Sequence, residues 1–258
     1  MKTKLLGALG SALLMLGASA PAAAADTLRI GISAEPYPPF TYKSSDGSWT
    51  GFEVELSEAI CARIEHDCKI TPTSWSGIIP ALNSNKIDLI MTSMSITEKR
   101  DKVIDFTDPY YYTLGAYVAE KGMSVNPPDD LAGKILGVQA ATTHASYARQ
   151  ELQDIASSIS TYNKQEQVNR DLMAGRVDVM LADQIAMAEF VERDEASNYE
   201  IKGMTPKHPA FGDGIGIGVR DGDTELRKTL NTAIGEVLND GTCTQLSQKY
   251  FNQDICGG

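Results

Sequence analysis

Positive charge is scarce in this chain. Its 258 residues carry 23 lysines and arginines against 34 aspartates and glutamates, a formal net charge of −11. Phosphate binding needs a basic face, so this balance argues against nucleic acid as a partner and against an anionic membrane surface. Histidine is scarcer: His66, His144 and His208 are scattered and no Cys-x-x-Cys is present, so nothing has the spacing of a metal centre and no cofactor is implied. Gly-x-Ser-x-Gly, His-Glu-x-x-His and a Cys/His pair near a strand end are also missing, which removes familiar catalytic motifs. A hydrophobic fraction of 42% excludes low-complexity disorder and suits one large or two modest globular domains.

Long apolar runs are missing too, except one. Lys2 and Lys4 precede the run from Leu5 to Ala20, which ends in Pro21 and an alanine tract. Ala23 and Ala25 form a small-x-small cleavage pattern, so residues 1–25 read as a secretory signal peptide rather than a membrane span. Cleavage between Ala25 and Asp26 removes 25 residues and two lysines, leaving 233 residues with a net charge of −13. No cysteine follows the run, so a lipid anchor is not indicated.

Cys61, Cys68, Cys243 and Cys256 all fall in the exported part, an even number in an oxidising compartment. Disulfides are therefore expected. Local pairing, Cys61 with Cys68 and Cys243 with Cys256, is the most parsimonious of the three formal connectivities. Closing the shorter loop stabilises by roughly 2.5 kcal/mol in the chain-entropy view.

The apolar pattern alternates between strand and helix. Strands are expected at Leu28–Ile32, Phe40–Tyr42, Lys69–Pro72 and Ile87–Met91. Between them, Phe52, Leu56, Ile60 and Ile64 fall on one helical face from Gly51 onward, and a second helix begins at Ile78 and stops near Asn85. The same beat returns with strands at Lys134–Gln139, Ser160–Tyr162 and Val177–Leu181, and with helices at Ala145–Leu152, Gln165–Ala174 and Gln184–Arg193. Tyr110–Ala119 and the glycine-rich Phe211–Arg220 are long enough to cross between lobes, and a last helix, Thr224–Leu238, packs back on the first. The expected fold is α/β and two-lobed, each lobe a mostly parallel sheet flanked by helices, joined by two hinge crossings. Lobe 1 is assigned residues 26–115 plus 213–258, and lobe 2 residues 116–212.

Three signals sit where such sheets bind ligands, beyond the carboxyl ends of strands. Thr92-Ser93-Met94-Ser95-Ile96-Thr97-Glu98-Lys99-Arg100 follows the Ile87–Met91 run. Ser95 with Glu98 reads as a capping box, and Arg100 on the next turn could fork onto a carboxylate or could pair with a surface acid. Thr142-Thr143 opens a helix after Gln139, as an anion site or as plain N-caps. Asp183 follows the Val177–Leu181 run, as an ammonium acceptor or as a cap for the helix from Gln184. Together they supply a carboxylate clamp and an ammonium acceptor, the pattern for a free amino acid.

The chain resembles the periplasmic amino-acid-binding proteins of ABC transporters, in the branch that binds histidine and lysine/arginine/ornithine. The resemblance spans the mature chain through Leu28-Arg29-Ile30-Gly31, Gly51-Phe52-Glu53, Ile78-Ile79-Pro80-Ala81-Leu82, Lys86-Ile87-Asp88, Ser95-Ile96-Thr97-Glu98-Lys99-Arg100, Phe106-Thr107-Asp108, Asp240-Gly241-Thr242 and Lys249-Tyr250-Phe251. It implies the two-lobed type II binding-protein fold, a periplasmic location, a monomer and delivery of the ligand to ABC permease subunits. Cys61–Cys68 stands at the spacing of that branch's disulfide. The resemblance also implies that Arg100 clamps the ligand carboxylate with Ser95 and Thr143, and that Asp183 takes the ammonium with Ser93 nearby. Tyr37 and Trp75 then enclose the ligand side chain.

Departures from the branch blur the ligand. The loop Ser33–Tyr37 is one residue longer, so Glu35 either replaces the acid that reads a cationic side chain or points to solvent. Gln139 and Ala141 stand where leucine and glycine are usual, and His144 reads as a solvated first-turn residue in preference to a ligand contact. A polar or basic amino acid is expected, with an amino-acid conjugate such as an opine as a further option. A rival reading is an enzyme like the periplasmic cyclohexadienyl dehydratases, with Glu35 or Asp183 as the acid; the binding role of Asp183 weighs against it.

Overall fold

The computed structural model describes residues 27–64 and 66–257. The proposed signal peptide at 1–25 lies outside the described residues. None of the described helices is long and apolar enough to cross a membrane.

The chain opens with β1 (Leu28–Ser33), then a small hairpin of β2 (Tyr42–Lys43) and β3 (Trp49–Thr50), and then α1 (Phe52–Arg63). Next come β4 (Cys68–Thr73), α2 (Ile78–Asn83), β5 (Leu89–Ile90), the one-turn α3 (Glu98–Asp101) and β6 (Asp105–Phe106). The second half runs β7 (Gly115–Glu120), β8 (Ile135–Gln139), α4 (Thr143–Tyr147), β9 (Ser158–Tyr162), α5 (Gln165–Met173), β10 (Val179–Asp183), α6 (Gln184–Val191) and β11 (Tyr199–Met204). It closes with β12 (Gly218–Val219), α7 (Thr224–Asn239) and α8 (Thr242–Phe251).

Two five-stranded sheets result, in the orders β4-β1-β5-β12-β6 and β11-β7-β10-β8-β9. Both are mostly parallel, as expected, with four of five strands running one way and a single reversed strand, β12 in the first and β7 in the second. β1 pairs parallel with β4 and β5, while β12 runs antiparallel to β5 and β6. In the second sheet β8 pairs parallel with β9 and β10, while β7 runs antiparallel to β10 and β11. The cause is the chain path: β7 and β12 are the strands that enter each sheet directly from a crossing, with no helical crossover to reverse them. The two crossing segments touch, Tyr111 bridging to Ile215.

Several local expectations shift. Phe40 and Thr41 lie in a turn, closed by Tyr37 N–H to Thr41 O at 2.7 Å, so the strand starts only at Tyr42. The expected helix Ala145–Leu152 is α4 followed by a π-helical turn over Ala148–Leu152. β3, β6, β11 and α8 have no counterpart among the expected elements. β11 alternates weakly and carries a register irregularity between Ile201 and Gly203, and α8 is built from threonine, serine and glutamine with few apolar anchors.

The first lobe packs an aromatic cluster in which Phe40 lies 5.5 Å from Tyr111 and Phe52 lies 4.9 Å from Phe251, centroid to centroid. That packing ties α1 and α8 to the loop after β1, since such pairs add to the burial of their large apolar surfaces. Gly51 starts α1 at φ 121°, where an added Cβ would sit 2.3 Å from the Phe40 carbonyl oxygen, so only glycine lets the helix begin there. Both disulfides, Cys61–Cys68 and Cys243–Cys256, lie in this lobe and follow the local pairing.

Candidate functional site

Parallel strands β1, β4 and β5 end on one side of the first sheet, and β8 and β10 end on the facing side of the second. The loops beyond them enclose a cleft of about 880 Å³, its open mouth included. All nine residues expected in the site line it: Glu35, Tyr37, Trp75, Ser93, Ser95, Arg100, Gln139, Thr143 and Asp183.

Arg100 is the one cation among the cleft-lining residues. Its guanidinium donates from Nη1 to the Ser95 carbonyl at 2.8 Å and from Nη2 to the Ala141 carbonyl of the other wall at 3.2 Å, and lies 5.4 Å from the Trp75 ring centroid. No described carboxylate pairs with it. Burial lowers its pKa to about 10, so it remains charged at neutral pH inside a desolvated cleft. An unpaired cation in a partly desolvated cleft is costly and is relieved by an anion.

The local route to that arrangement differs from the expected one. Ser95 does not cap a helix. It bridges to Ile215 of the return crossing, and Ile96 N–H donates to the Gly214 carbonyl, which keeps the chain extended to Thr97. Thr97 is the N-cap of α3, its hydroxyl accepting from Arg100 N–H at 3.3 Å. A one-turn helix offers little dipole, so the anion attraction of this wall comes from the guanidinium. Nearby, Gly212 has φ 77°, and an added Cβ would lie 1.8 Å from the Ile96 carbonyl oxygen, so this close approach of the crossing depends on glycine.

On the opposite wall the Thr-Thr pair divides its work. Thr142 is the N-cap of α4, accepting from Ala145 N–H at 3.0 Å, while Thr143 is buried against the cleft with its hydroxyl engaged by no described residue. Ala141, beside them, adopts φ 59°, a left-handed conformation costly for alanine. Gln139 ends β8 and donates to the Asn163 carbonyl at 3.3 Å.

Asp183 both caps and lines. One carboxylate oxygen accepts from Ile185 N–H at 2.8 Å and Ala186 N–H at 3.3 Å; the other accepts from the Thr113 hydroxyl. Burial raises its pKa to about 6, against the pull of those hydrogen bonds. Tyr37, from the loop after β1, accepts from Asp183 N–H at 3.3 Å across the cleft. This contact and the Arg100–Ala141 bond join the two walls directly, so the lobes are closed.

Glu35 does not point away into solvent. One oxygen accepts from the Ser33 hydroxyl at 2.9 Å and from the Trp75 backbone N–H at 3.1 Å, leaving the other with no described partner. His144 lines the cleft instead of being a solvated first-turn residue: its ring lies 5.6 Å from Phe211, and burial with the field of Arg100 lowers its pKa to about 4. Phe211, Tyr112 and Thr113 also line the cleft; they lie on the crossings, where no strand-end or capping pattern marks them. No cluster of three or more His, Cys, Asp or Glu side chains able to hold a metal occurs among the described residues.

The family described as bacterial extracellular solute-binding proteins, family 3, matches residues 28–253. The chain belongs to that family. Among relatives of this solute-binding protein, the L-arginine-binding protein of Pseudomonas aeruginosa is 40% identical, the alignment covering 99% of this chain and 98% of the relative. The lysine/arginine/ornithine-binding periplasmic protein of Escherichia coli is 35% identical, covering 95% of each. An ancestral arginine-binding protein bound to arginine superposes with a TM-score of 0.81 at 34% identity, covering 87% of this chain and 98% of that one. These relatives are binding proteins by name, and this solute-binding protein is a receptor rather than an enzyme.

Proposed function

We propose that this solute-binding protein captures a free amino acid with a cationic side chain, of the arginine, lysine or ornithine kind, and presents it in the periplasm to the permease of an ABC transporter. In this reading it is exported through cleavage of residues 1–25 and acts as a monomer whose lobes, 26–115 plus 213–258 and 116–212, close on the ligand. The observation that carries the ligand class is the charge of the lining. Arg100 contributes one positive charge and Asp183 and Glu35 two negative ones, while His144 is neutral at pH 7. An amino-acid zwitterion cancels against Arg100 and Asp183, and the remaining negative charge at Glu35 calls for a cation on the side chain. The ligands in the names of the relatives point the same way.

Arg100, with Ser95 and Thr143, would take the carboxylate. Asp183 and Ser93 would take the ammonium, and Tyr37, Trp75 and Gln139 would flank a chain leading to Glu35. An indole face suits an alkyl-guanidinium or alkyl-ammonium group. The ligand stabilises the closed form by the contacts it makes to both walls at once.

The test is isothermal titration of protein unfolded and refolded to remove bound ligand. Arginine, lysine and ornithine are expected to bind at least ~10-fold more tightly than glutamine, citrulline or an opine. A neutral amino acid or an opine outranking all three cations would overturn the reading.

A further inference from the structure

Beneath the cleft lies a carboxylate that does not line it. Glu53, in the first turn of α1, is 1% exposed and has no cationic partner among the described residues. A buried, unpaired carboxylate is expensive, and its neighbours show what it does instead. One oxygen accepts from Ser93 N–H at 2.7 Å and from the Tyr110 hydroxyl; the other accepts from the Ser93 hydroxyl at 2.9 Å. Three donors converge on two oxygens, an arrangement that suits the ionised form. Burial raises its pKa and those three hydrogen bonds draw it back. Ser93 itself has φ 51°, a left-handed conformation that a non-glycine residue adopts at a cost. Glu53 grips both its N–H and its side chain.

We infer that Glu53 is a positioning residue for recognition of the ligand's α-ammonium group, through Ser93. The Ser93 hydroxyl has one proton, and Glu53 takes it as a hydrogen-bond acceptor. The oxygen facing the cleft is left with lone pairs only, so it accepts from an ammonium and cannot present a donor to it. The grip also fixes the left-handed backbone of Ser93, holding residue and hydroxyl at the cleft wall. The inference rests on the reading of the ligand as a free amino acid.

A glutamine at position 53 keeps the volume but offers an amide N–H₂ to one of the two Ser93 groups. The Ser93 hydroxyl can then turn its proton toward the cleft, where it meets the ammonium hydrogens. The experiment compares L-arginine with 5-guanidinopentanoic acid, which has the same carboxylate and guanidinium but no α-ammonium, on refolded wild type, Glu53→Gln and Ser93→Gly. Each variant is expected to weaken L-arginine at least ~10-fold, with the analogue changed by less than ~2-fold. Ser93→Gly removes the hydroxyl that Glu53 orients while relieving the left-handed strain, so unchanged L-arginine binding in that variant overturns the inference even where Glu53→Gln does not fold. Equal losses for the two ligands would make Glu53 merely structural and overturn the inference, as would unchanged L-arginine binding. Wild-type protein that binds none of arginine, lysine and ornithine would instead overturn the ligand reading on which the inference stands.

Discussion

Arg100 and Asp183 face one cleft from different sheets, and the protein satisfies them to different degrees. Asp183 receives two backbone N–H groups and the Thr113 hydroxyl, so only a fraction of its acceptor capacity remains open. Arg100 donates to two carbonyls and meets no described carboxylate. One wall therefore holds a nearly complete anion and the other an incomplete cation. A ligand carboxylate has more to gain at Arg100 than an ammonium has at Asp183, because a charge-assisted hydrogen bond to an otherwise unpaired, half-buried ion replaces a desolvation cost. The lobes differ in a second way: the wall with Arg100 stands on the lobe that holds both disulfides, and the lobe with Asp183 has none.

The largest expected effect separates the lobes by stability. Reducing both bridges should destabilise the protein by about 5 kcal/mol in the chain-entropy model. Because both bridges lie away from the cleft, ligand affinity at a temperature where the reduced protein is still folded should change little. Melting curves and titrations with and without reductant check both parts; a reduced, folded protein that has lost binding would break the comparison.

The next effect is on the cation. Arg100→Ala should weaken binding by at least ~2 kcal/mol, since it strands the ligand carboxylate in a closed cleft. Affinity of the variant equal to wild type would remove Arg100 from the site.

The smallest effect, and the one that sharpens the contrast, is on the anion and is read by pH. The Asp183 carboxyl titrates near 6 in the folded protein against an ordinary 3.8. Between those values the folded, ligand-free protein holds a proton that the unfolded chain has released. This group's contribution to stability therefore falls as pH rises through the window and levels off above about 6. Binding has the opposite sense, because an ammonium needs the carboxylate: affinity should be flat above pH 7 and fall by up to about tenfold per pH step below 6. His144, near 4, stays neutral for most of that range and does not mask the effect. Titrations at pH 7.5, 6.0 and 5.0 check it, and a flat profile would show that Asp183 does not meet a charged group.

How much of this was legible depended on sequence distance. The strands ending at Gln139 and Asp183 announced themselves by apolar runs, and with them came Thr143 and Asp183 as residues just past or at strand ends, whereas Glu35 stood out only through the resemblance, in a loop one residue longer than usual. The capping box at Ser95 misled, because a local Ser-x-x-Glu pattern has no knowledge of the bridge to Ile215 on the return crossing that holds Ser95 extended. Glu53 was visible as part of Gly51-Phe52-Glu53, yet nothing local distinguishes it from the acidic residue two positions later, whose side chain instead reaches Lys249. His144 was misplaced because its burial comes from Phe211, far along the chain on the return crossing.

By itself the sequence determined the alternation of strands and helices, the local disulfide pairs and the chemical types standing at the strand ends, since each of these is set by neighbours within a turn or a strand. The tertiary structure alone decided which sheet partners run antiparallel, that Thr142 caps while Thr143 faces the cleft, that Glu53 lies under Ser93 across 40 residues of chain, and that Arg100 is left without a carboxylate of its own. Those are outcomes of burial and of contacts between distant segments, where the low dielectric of a closed cleft turns an unpaired charge into a demand for a ligand.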